Sequence, residues 1–375
     1  MSIAFADSGN LTLGVEMQLQ LLDRTTWDLT PLGPALIAAL PAANPHIKHG
    51  IFQSMIEIDT AVCANANEIG RDLSQSVRVL KSQADKMGVA LAANGTHPFA
   101  KYKERKIVAT ESYEALIDRN QWLARRLSIF GLHVHLGMRS GDHCIAMTNA
   151  FLRHAHMLLA LSASSPFWQG QDTGLASSRT TIFEALPTAG HPCLVRDWEE
   201  FSQLIDKLTR SEAIRSIEDL WWDIRPSPSD GTMAIRICDG LTTVQETVAL
   251  VAFTHALAVR LDAEIDGSPP PPLWLIRENK WRAARHGLEA NVVVDDNGNT
   301  MSMRENIEQT LHSLKDIGLT LGYGEYFTVL KRLLASGGIY TRQRKIHAQT
   351  GSLEKVAQLS SLEFELDKPY YYHQG

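Results

Sequence analysis

The sequence predicts an α+β protein whose sheet has helices on one face and is open on the other. Three observations predict it. Four segments alternate apolar and polar residues with period two, as half-buried strands do. The segments between them repeat apolar residues every three or four positions, as amphipathic helices do. No G-x-G-x-x-G or G-x-x-x-x-G-K-[ST] follows any strand, which argues against a Rossmann or P-loop architecture.

In chain order, Gly14–Leu21 sets Val15, Met17, Leu19 and Leu21 on one side and Glu16, Gln18 and Gln20 on the other. In Ile51–Asp59, Phe52, Ile56 and Ile58 alternate with Gln53, Met55 and Glu57. A helix stripe follows in Ile69, Leu73, Val77, Leu80, Ala84 and Met87. A second stripe covers roughly Tyr113–Leu127. The third strand, Leu132–Met138, alternates Leu132, Val134, Leu136 and Met138 with His133 and His135. Helical periodicity returns in Ile145–Leu161 and Trp198–Leu208. The fourth strand, Thr232–Asp239, opposes Met233, Ile235 and Ile237 to Ala234, Arg236 and Cys238. Stripes at Thr243–Leu261 and Ile307–Ile317 complete the pattern. The run Pro269–Pro272 is neither helix nor central strand, so it marks a surface crossing. The chain then reads as one catalytic domain over 1–375. A core of sheet and helices occupies 1–268, and a mainly helical segment, 273–375, packs on it.

Composition narrows the function. The chain has 375 residues, 44% hydrophobic, enough to bury a sizeable core. Its net charge of −6 argues against a nucleic-acid or anionic-membrane surface. No N-terminal signal pattern is visible. The longest apolar region, around Met157–Ser165, falls short of the ~18 residues of a membrane span. Cys63, Cys144, Cys193 and Cys238 are scattered and never form C-x-x-C, as expected of a cytoplasmic protein without disulfides.

If the apolar faces pack under helices, the polar faces merge into one exposed surface. It would display Glu16, Gln18, Gln53, Glu57, His133, His135 and Arg236. Gathering such groups is costly unless they form a site. His97, before Pro98, fits either a turn or the site. Trp221 and Trp222 read as core.

Seven motifs, in order from about residue 11 to about 295, resemble the type 2 glutamate–cysteine ligase family, the ATP-dependent carboxylate–amine ligases. They are Leu13-Gly14-Val15-Glu16, Thr96-His97-Pro98-Phe99, Gly131-Leu132-His133-Val134-His135-Leu136-Gly137, Ser165-Pro166-Phe167-Trp168-Gln169-Gly170 with Ala176-Ser177-Ser178-Arg179, Trp222-Asp223-Ile224-Arg225-Pro226-Ser227-Pro228, Arg236-Ile237-Cys238-Asp239, and Asn279-Lys280-Trp281-Arg282 with Arg285-His286-Gly287-Leu288-Glu289. The resemblance implies a fold like the catalytic domain of glutamine synthetase, with a curved antiparallel sheet. It also implies a cytoplasmic homodimer that uses ATP and Mg²⁺ to join a carboxylate, such as the γ-carboxylate of glutamate, to an amine such as cysteine. The chemistry requires activation of the carboxylate as an acyl phosphate. Magnesium relieves repulsion between triphosphate and carboxylate, and oxygen donors hold it.

Carried over residue by residue, the resemblance makes Glu16, Glu57 and His133 metal ligands. Arg179, Arg225 and Arg236 become the groups that hold phosphates and substrate, with Arg179 and Arg236 closest to the chemistry. Three acids of the family pattern are replaced, by Gln18, Gly50 and Ala234. Asp59 lies nearby, but alternation alone does not clearly place it in the site. The expectation is therefore a ligase with weakened Mg-ATP binding. Two alternatives stay open: a hydrolase of γ-glutamyl amides with one Zn²⁺ or Mn²⁺ and no ATP, and a non-catalytic binding protein.

Overall fold

A computed structural model describes residues 3–41, 44–265 and 270–370; of the predicted proline crossing, Pro269 lies outside them. Seven strands form the main sheet: β1 (Leu13–Asp23), β2 (Ile47–His49), β3 (Met55–Asp59), β4 (Val89–Ala92), β5 (Gly131–Gly137), β6 (Ile224–Ser227) and β7 (Thr232–Asp239). Their order is β6-β7-β5-β1-β3-β2, with β4 also paired to β1, and every pairing is antiparallel.

The period-two reading explains the layers. Val15, Met17, Leu19, Leu132, Val134, Leu136, Met233, Ile235 and Ile237 are all buried on one face. Four helices pack over that face: α1 (Ala66–Lys86), α3 (Gly141–Leu152), α4 (Ala155–Ser162) and α6 (Val244–Glu264), while α2 (Glu111–Asn120) and α5 (Ser178–Phe183) flank the other. Helix α1 starts where Asn65 accepts a hydrogen bond from the Glu68 N–H, a side-chain N-cap. Helix α6 starts likewise at Thr243. Helices α7 (Leu273–His286), α8 (Gly324–Ser336), α9 (Ile339–Thr350) and α10 (Leu353–Leu366) come from the C-terminal part. There α7 packs on α4, α8 on α6, and α10 on β4. Arg342 of α9 anchors this layer through buried ion pairs to Glu246 of α6 and Glu363 of α10.

Several boundaries differ from expectation. The second strand begins at Met55, not Ile51, because Phe52 bridges to Ile107 and the Gln53 N–H donates to the Lys106 carbonyl. Gln53 therefore leaves the sheet face, and its amide donates to the Ile107 carbonyl at 3.2 Å. The Tyr113–Leu127 stripe breaks at Gln121, whose φ of 49° ends the helix. The stripe at Ile145–Leu161 breaks after Leu152 and that at Ile307–Ile317 at Leu314. Among the described residues the helix both long and apolar enough to cross a membrane is α6, whereas the helix in the Met157–Ser165 region is too short. An 18-residue stretch of this 21-residue helix has a mean hydropathy of 1.2. Yet 83% of that stretch is buried inside the fold, which makes α6 the central core helix. Cys63, Cys144 and Cys238 are buried free thiols, and Cys193 is exposed.

Candidate active site

Strand register brings the polar groups together. Glu16 lies opposite His133 on one side and Asp59 on the other. Gln18 lies opposite Glu57. His135 lies between Gly14 and Ala234. A cavity of about 190 Å³ opens on this face, lined by Glu16, Gln18, Glu57, His133, Arg179 and Arg236 from the predicted set. Ile51, Met55, Tyr113, Leu127, Ile129, Phe183 and Trp221 form its walls. A second cavity of about 280 Å³ shares Glu16 and adds Asp59, His135, Asp230 and Thr232.

Glu16 is the hub. His133 Nδ1 lies 2.6 Å from one of its oxygens and His135 Nε2 lies 3.3 Å from the other. Burial works to raise the Glu16 pKa, but the hydrogen bonds from the two histidines outweigh it and hold the carboxylate ionised. Burial, with Arg236 nearby, lowers His133 to about 3. His133 is therefore neutral, its Nδ1–H donates to Glu16, and Nε2 is left with a lone pair. Burial chiefly, and the charge on Glu16, push Glu57 up to about 7.

The replaced positions have physical consequences. The Gln18 amide donates to Glu57 at 3.0 Å and its oxygen accepts the Gly131 N–H at 2.8 Å. Its carbonyl is thus engaged by the backbone. At Gly50, a Cβ would meet Met55 Sδ at 2.3 Å, so Met55 fills the space an acid would need. Ala234 is fully buried and contributes only a methyl group.

The arginines divide. Arg236 bonds to no other group through its guanidinium among the described residues, and its Nε is buried without a partner. Arg179 is buried, with its terminal nitrogens directed at the Ile237 and Arg236 carbonyls at 3.4 and 3.2 Å. Two of the sequence motifs meet here. Asp239 accepts from Ser165 and Ser177, and Ser165 Oγ accepts the Arg179 N–H. Glycine at 131 leaves room for Arg179, since a Cβ there would lie 2.2 Å from its guanidinium as placed. Arg225 is drawn elsewhere. It donates to the Glu218 and Leu220 carbonyls and does not line the cavity; burial lowers its pKa to about 10. His97 is a turn residue: Nε2 bonds the Trp27 carbonyl and Nδ1 accepts the Phe99 and Ala100 N–H groups.

Asp59, Tyr113, Phe183 and Trp221 join the site without having been singled out for it. Asp59 was in principle legible, being two residues after Glu57 on a strand. Burial raises its pKa, and Lys48 pairs with it. Trp221 and Trp222 occupy consecutive strand positions and so point oppositely: Trp221 to the cavity, Trp222 into a buried cluster with Phe201. Behind α5, Glu184, His191 and Asp223 bring donor atoms within 4.8 Å of one another, at metal-site spacing. The Lys280 ammonium occupies that place, donating to both Glu184 and Asp223.

An antiparallel sheet covered by helices on one face is the fold of the glutamate–cysteine ligase and glutamine-synthetase-like ligases. Solved structures agree on the fold. A glutamate–cysteine ligase from Francisella tularensis, solved with AMP, is 10% identical at a TM-score of 0.70, covering 98% of this chain and 90% of that one. A bifunctional glutathione synthetase from Pasteurella multocida is 14% identical at 0.66, covering 95% and 51%. The chain belongs to the glutamate–cysteine ligase family 2, whose model matches residues 12–359. Proteins named "Putative glutamate–cysteine ligase 2" are close relatives. The one from Bdellovibrio bacteriovorus is 47% identical over 97% of both chains. That from Thermobifida fusca is 41% identical, covering 98% of this chain and 94% of its own. The chain is accordingly an ATP-dependent ligase of the carbon–nitrogen bond-forming kind.

Proposed function

We propose that the chain joins a carboxylate to an amine through an acyl phosphate, with a reduced metal complement. The observation that carries this reading is the unpartnered guanidinium of Arg236 beside Glu16, Glu57 and His133 in one cavity. A half-buried cation whose buried Nε has no internal partner is costly unless an anion completes it. A carboxylate or phosphoryl oxygen answers that need in the family's chemistry.

The donors fit a divalent cation. Glu16 is ionised, Glu57 presents a carboxyl group, and neutral His133 keeps Nε2 available. Bound magnesium would screen the like charges of triphosphate and carboxylate. With Gln18 engaged by the backbone and no acid at 50 or 234, the set suits one ion better than several. Arg236 orients the reacting carboxylate or the transferring phosphoryl group, and Arg179 braces that wall. Glu57, near neutrality, is placed to accept the proton that the amine releases.

Isothermal titration of metal-stripped protein with Mg-ATP tests the reading, using wild type and the double variant Gln18→Glu/Ala234→Glu. The expected outcome is micromolar-to-millimolar binding that tightens about tenfold, ~1.4 kcal/mol, when the acids are restored. Absence of nucleotide binding, with a stoichiometric transition metal in the protein as isolated, would replace ligation with metal-assisted amide hydrolysis.

A further inference from the structure

A further cavity, of about 420 Å³, lies behind helix α5. Within α5, Arg179 and Phe183 are one turn apart and line the catalytic cavity. Thr180, Thr181 and, just past the helix end, Glu184 line the other space. One short helix therefore separates the two. Helix α7 supplies Arg277, Lys280 and Trp281 to the far cavity, and His191 also lines it. The volume falls within the ~300–1,000 Å³ of small-molecule sites.

Some of the polar groups here are engaged and others are open. The Lys280 ammonium donates to Glu184 Oε1 and Asp223 Oδ2, and the Thr181 hydroxyl donates to the Ser178 carbonyl. Arg277 makes no hydrogen bond or ion pair among the described residues. Trp281, one turn from Arg277 on the same face of α7, is 50% exposed and leaves its indole open. Glu184 Oε2 has no partner among the described residues, because Lys280 takes Oε1. Deeper in, His191 Nδ1 and Asp223 Oδ1 are buried without hydrogen-bond partners, and the Asp223 side chain is only 2% exposed. Buried polar atoms left unpaired behind a cavity are costly unless something completes the site. The cavity thus presents one open guanidinium, one open carboxylate oxygen and one open indole.

We propose that this cavity is a second ligand site, separate from the catalytic one, for a zwitterionic amino acid with a large apolar or aromatic side chain. Its carboxylate pairs with Arg277, its ammonium with Glu184, and its side chain lies on Trp281. Arg277 alone would suit any anion. The open carboxylate oxygen and the indole select a ligand that carries both charges and an apolar body. Occupancy reaches the catalytic cavity by two routes. Helix α5 carries Arg179 and Phe183 on its other face. Lys280 holds Asp223, whose carbonyl accepts the Arg236 N–H at 2.7 Å. A ligand ammonium on Glu184 competes with Lys280 for that carboxylate, so binding here alters how the catalytic cavity holds its carboxylate substrate. This inference goes beyond the ligase reading, and its binding test does not depend on it.

Calorimetry on the full-length protein without nucleotide, with L-phenylalanine as the probe, tests the site. The expected result is one site per chain, equally tight in wild type and Arg236→Met, and about tenfold weaker in Trp281→Ala and in Arg277→Met. Trp281→Phe should retain most of the affinity. Phenethylamine, which lacks the carboxylate, and 3-phenylpropionate, which lacks the ammonium, should each bind about tenfold more weakly than L-phenylalanine. Coupling is read from hydroxamate formed with glutamate, Mg-ATP and hydroxylamine. Saturating L-phenylalanine should shift the KM for glutamate about fivefold in wild type and leave it unshifted in Trp281→Ala. Binding that survives Trp281→Ala and Arg277→Met but is lost in Arg236→Met places L-phenylalanine in the catalytic cavity and overturns the proposal, as does failure to bind wild type. Binding that leaves glutamate kinetics unaltered supports the site and overturns its coupling. If wild type forms no hydroxamate, the ligase reading fails for glutamate, and calorimetry still decides the site.

Discussion

The Arg342 cluster and the Arg236 cluster both gather carboxylates around a guanidinium inside the fold, and they differ in what completes them. Arg342 reaches Glu246 at 2.9 Å and Glu363 at 2.8 Å, and also donates to Thr242. All three charged side chains are at most 2% exposed. That cluster is finished by the chain itself and ties three helices together. Around Arg236 its own Nε and the buried Asp59 Oδ1 lack hydrogen-bond partners, and His135 Nε2 reaches only Glu16, at 3.3 Å. Charge withdrawn from water and left unpaired is unfavourable for folding alone. The difference teaches where to look for function in a charge-rich interior: where the chain leaves the hydrogen bonding incomplete.

The sharpest way to break this comparison is to remove each guanidinium. Arg342→Met leaves two carboxylates buried together, which should cost about 3–5 kcal/mol and lower the urea midpoint markedly. Arg236→Met removes a half-buried cation to which no described side chain is hydrogen-bonded. Its midpoint should match wild type or exceed it, while ATP-dependent turnover falls by about 10²–10³. Equal destabilisation by the two substitutions would erase the distinction.

A second prediction uses pH. The folded pKa of Glu57 is about 7, above its ordinary 4.5, so the folded state holds a proton that the unfolded state has lost between those values. Its contribution to stability is therefore present at low pH and lost as pH rises through 7, by roughly 3 kcal/mol. His133 acts oppositely, since a folded pKa near 3 lets the unfolded state bind more protons between about 3 and 6.5. The two effects oppose each other in the wild type. Glu57→Gln should unmask the histidine, so that stability rises with pH from about 4.5 to 6.5. A profile identical to wild type would mean that Glu57 titrates normally.

How much of this was legible follows from what generates each feature. Residues Glu16, Gln18, His133 and Ala234 sit on strands whose periodicity fixes which face they take, and there the sequence reading and the register agree. Position 59 ends its strand, where alternation alone does not say whether pairing continues; the longer β1 supplies the partner at Glu16. Gln53 was misplaced because its backbone bonds to a segment fifty residues later, and no local pattern encodes that. Arg225 follows strand geometry at its Cα, yet its long side chain is taken by loop carbonyls. Phe183 and Tyr113 come from helices flanking the open face, so their roles depend on tertiary placement and have no period to betray them.

The Lys280 cluster lies between the two extremes and gives the smallest predicted effect. Here the fold supplies its own cation to a trio of residues with metal-ligand spacing. Asp223 is buried and Glu184 is partly exposed, so water compensates one carboxylate and not the other. Lys280→Met should therefore cost about 2 kcal/mol, less than Arg342→Met. The lost cation is also replaceable: Zn²⁺ should raise the melting temperature of Lys280→Met and leave that of the wild type unchanged. The reach of the change is specific, because the Asp223 carbonyl accepts the Arg236 N–H at 2.7 Å and Glu184 ends the helix carrying Arg179 and Phe183. If Zn²⁺ restores both melting temperature and turnover, Lys280 positions the cavity walls as a cation. If it restores neither, the trio is held in shape by packing around the lysine stem, and the spacing of its donor atoms has no chemical consequence.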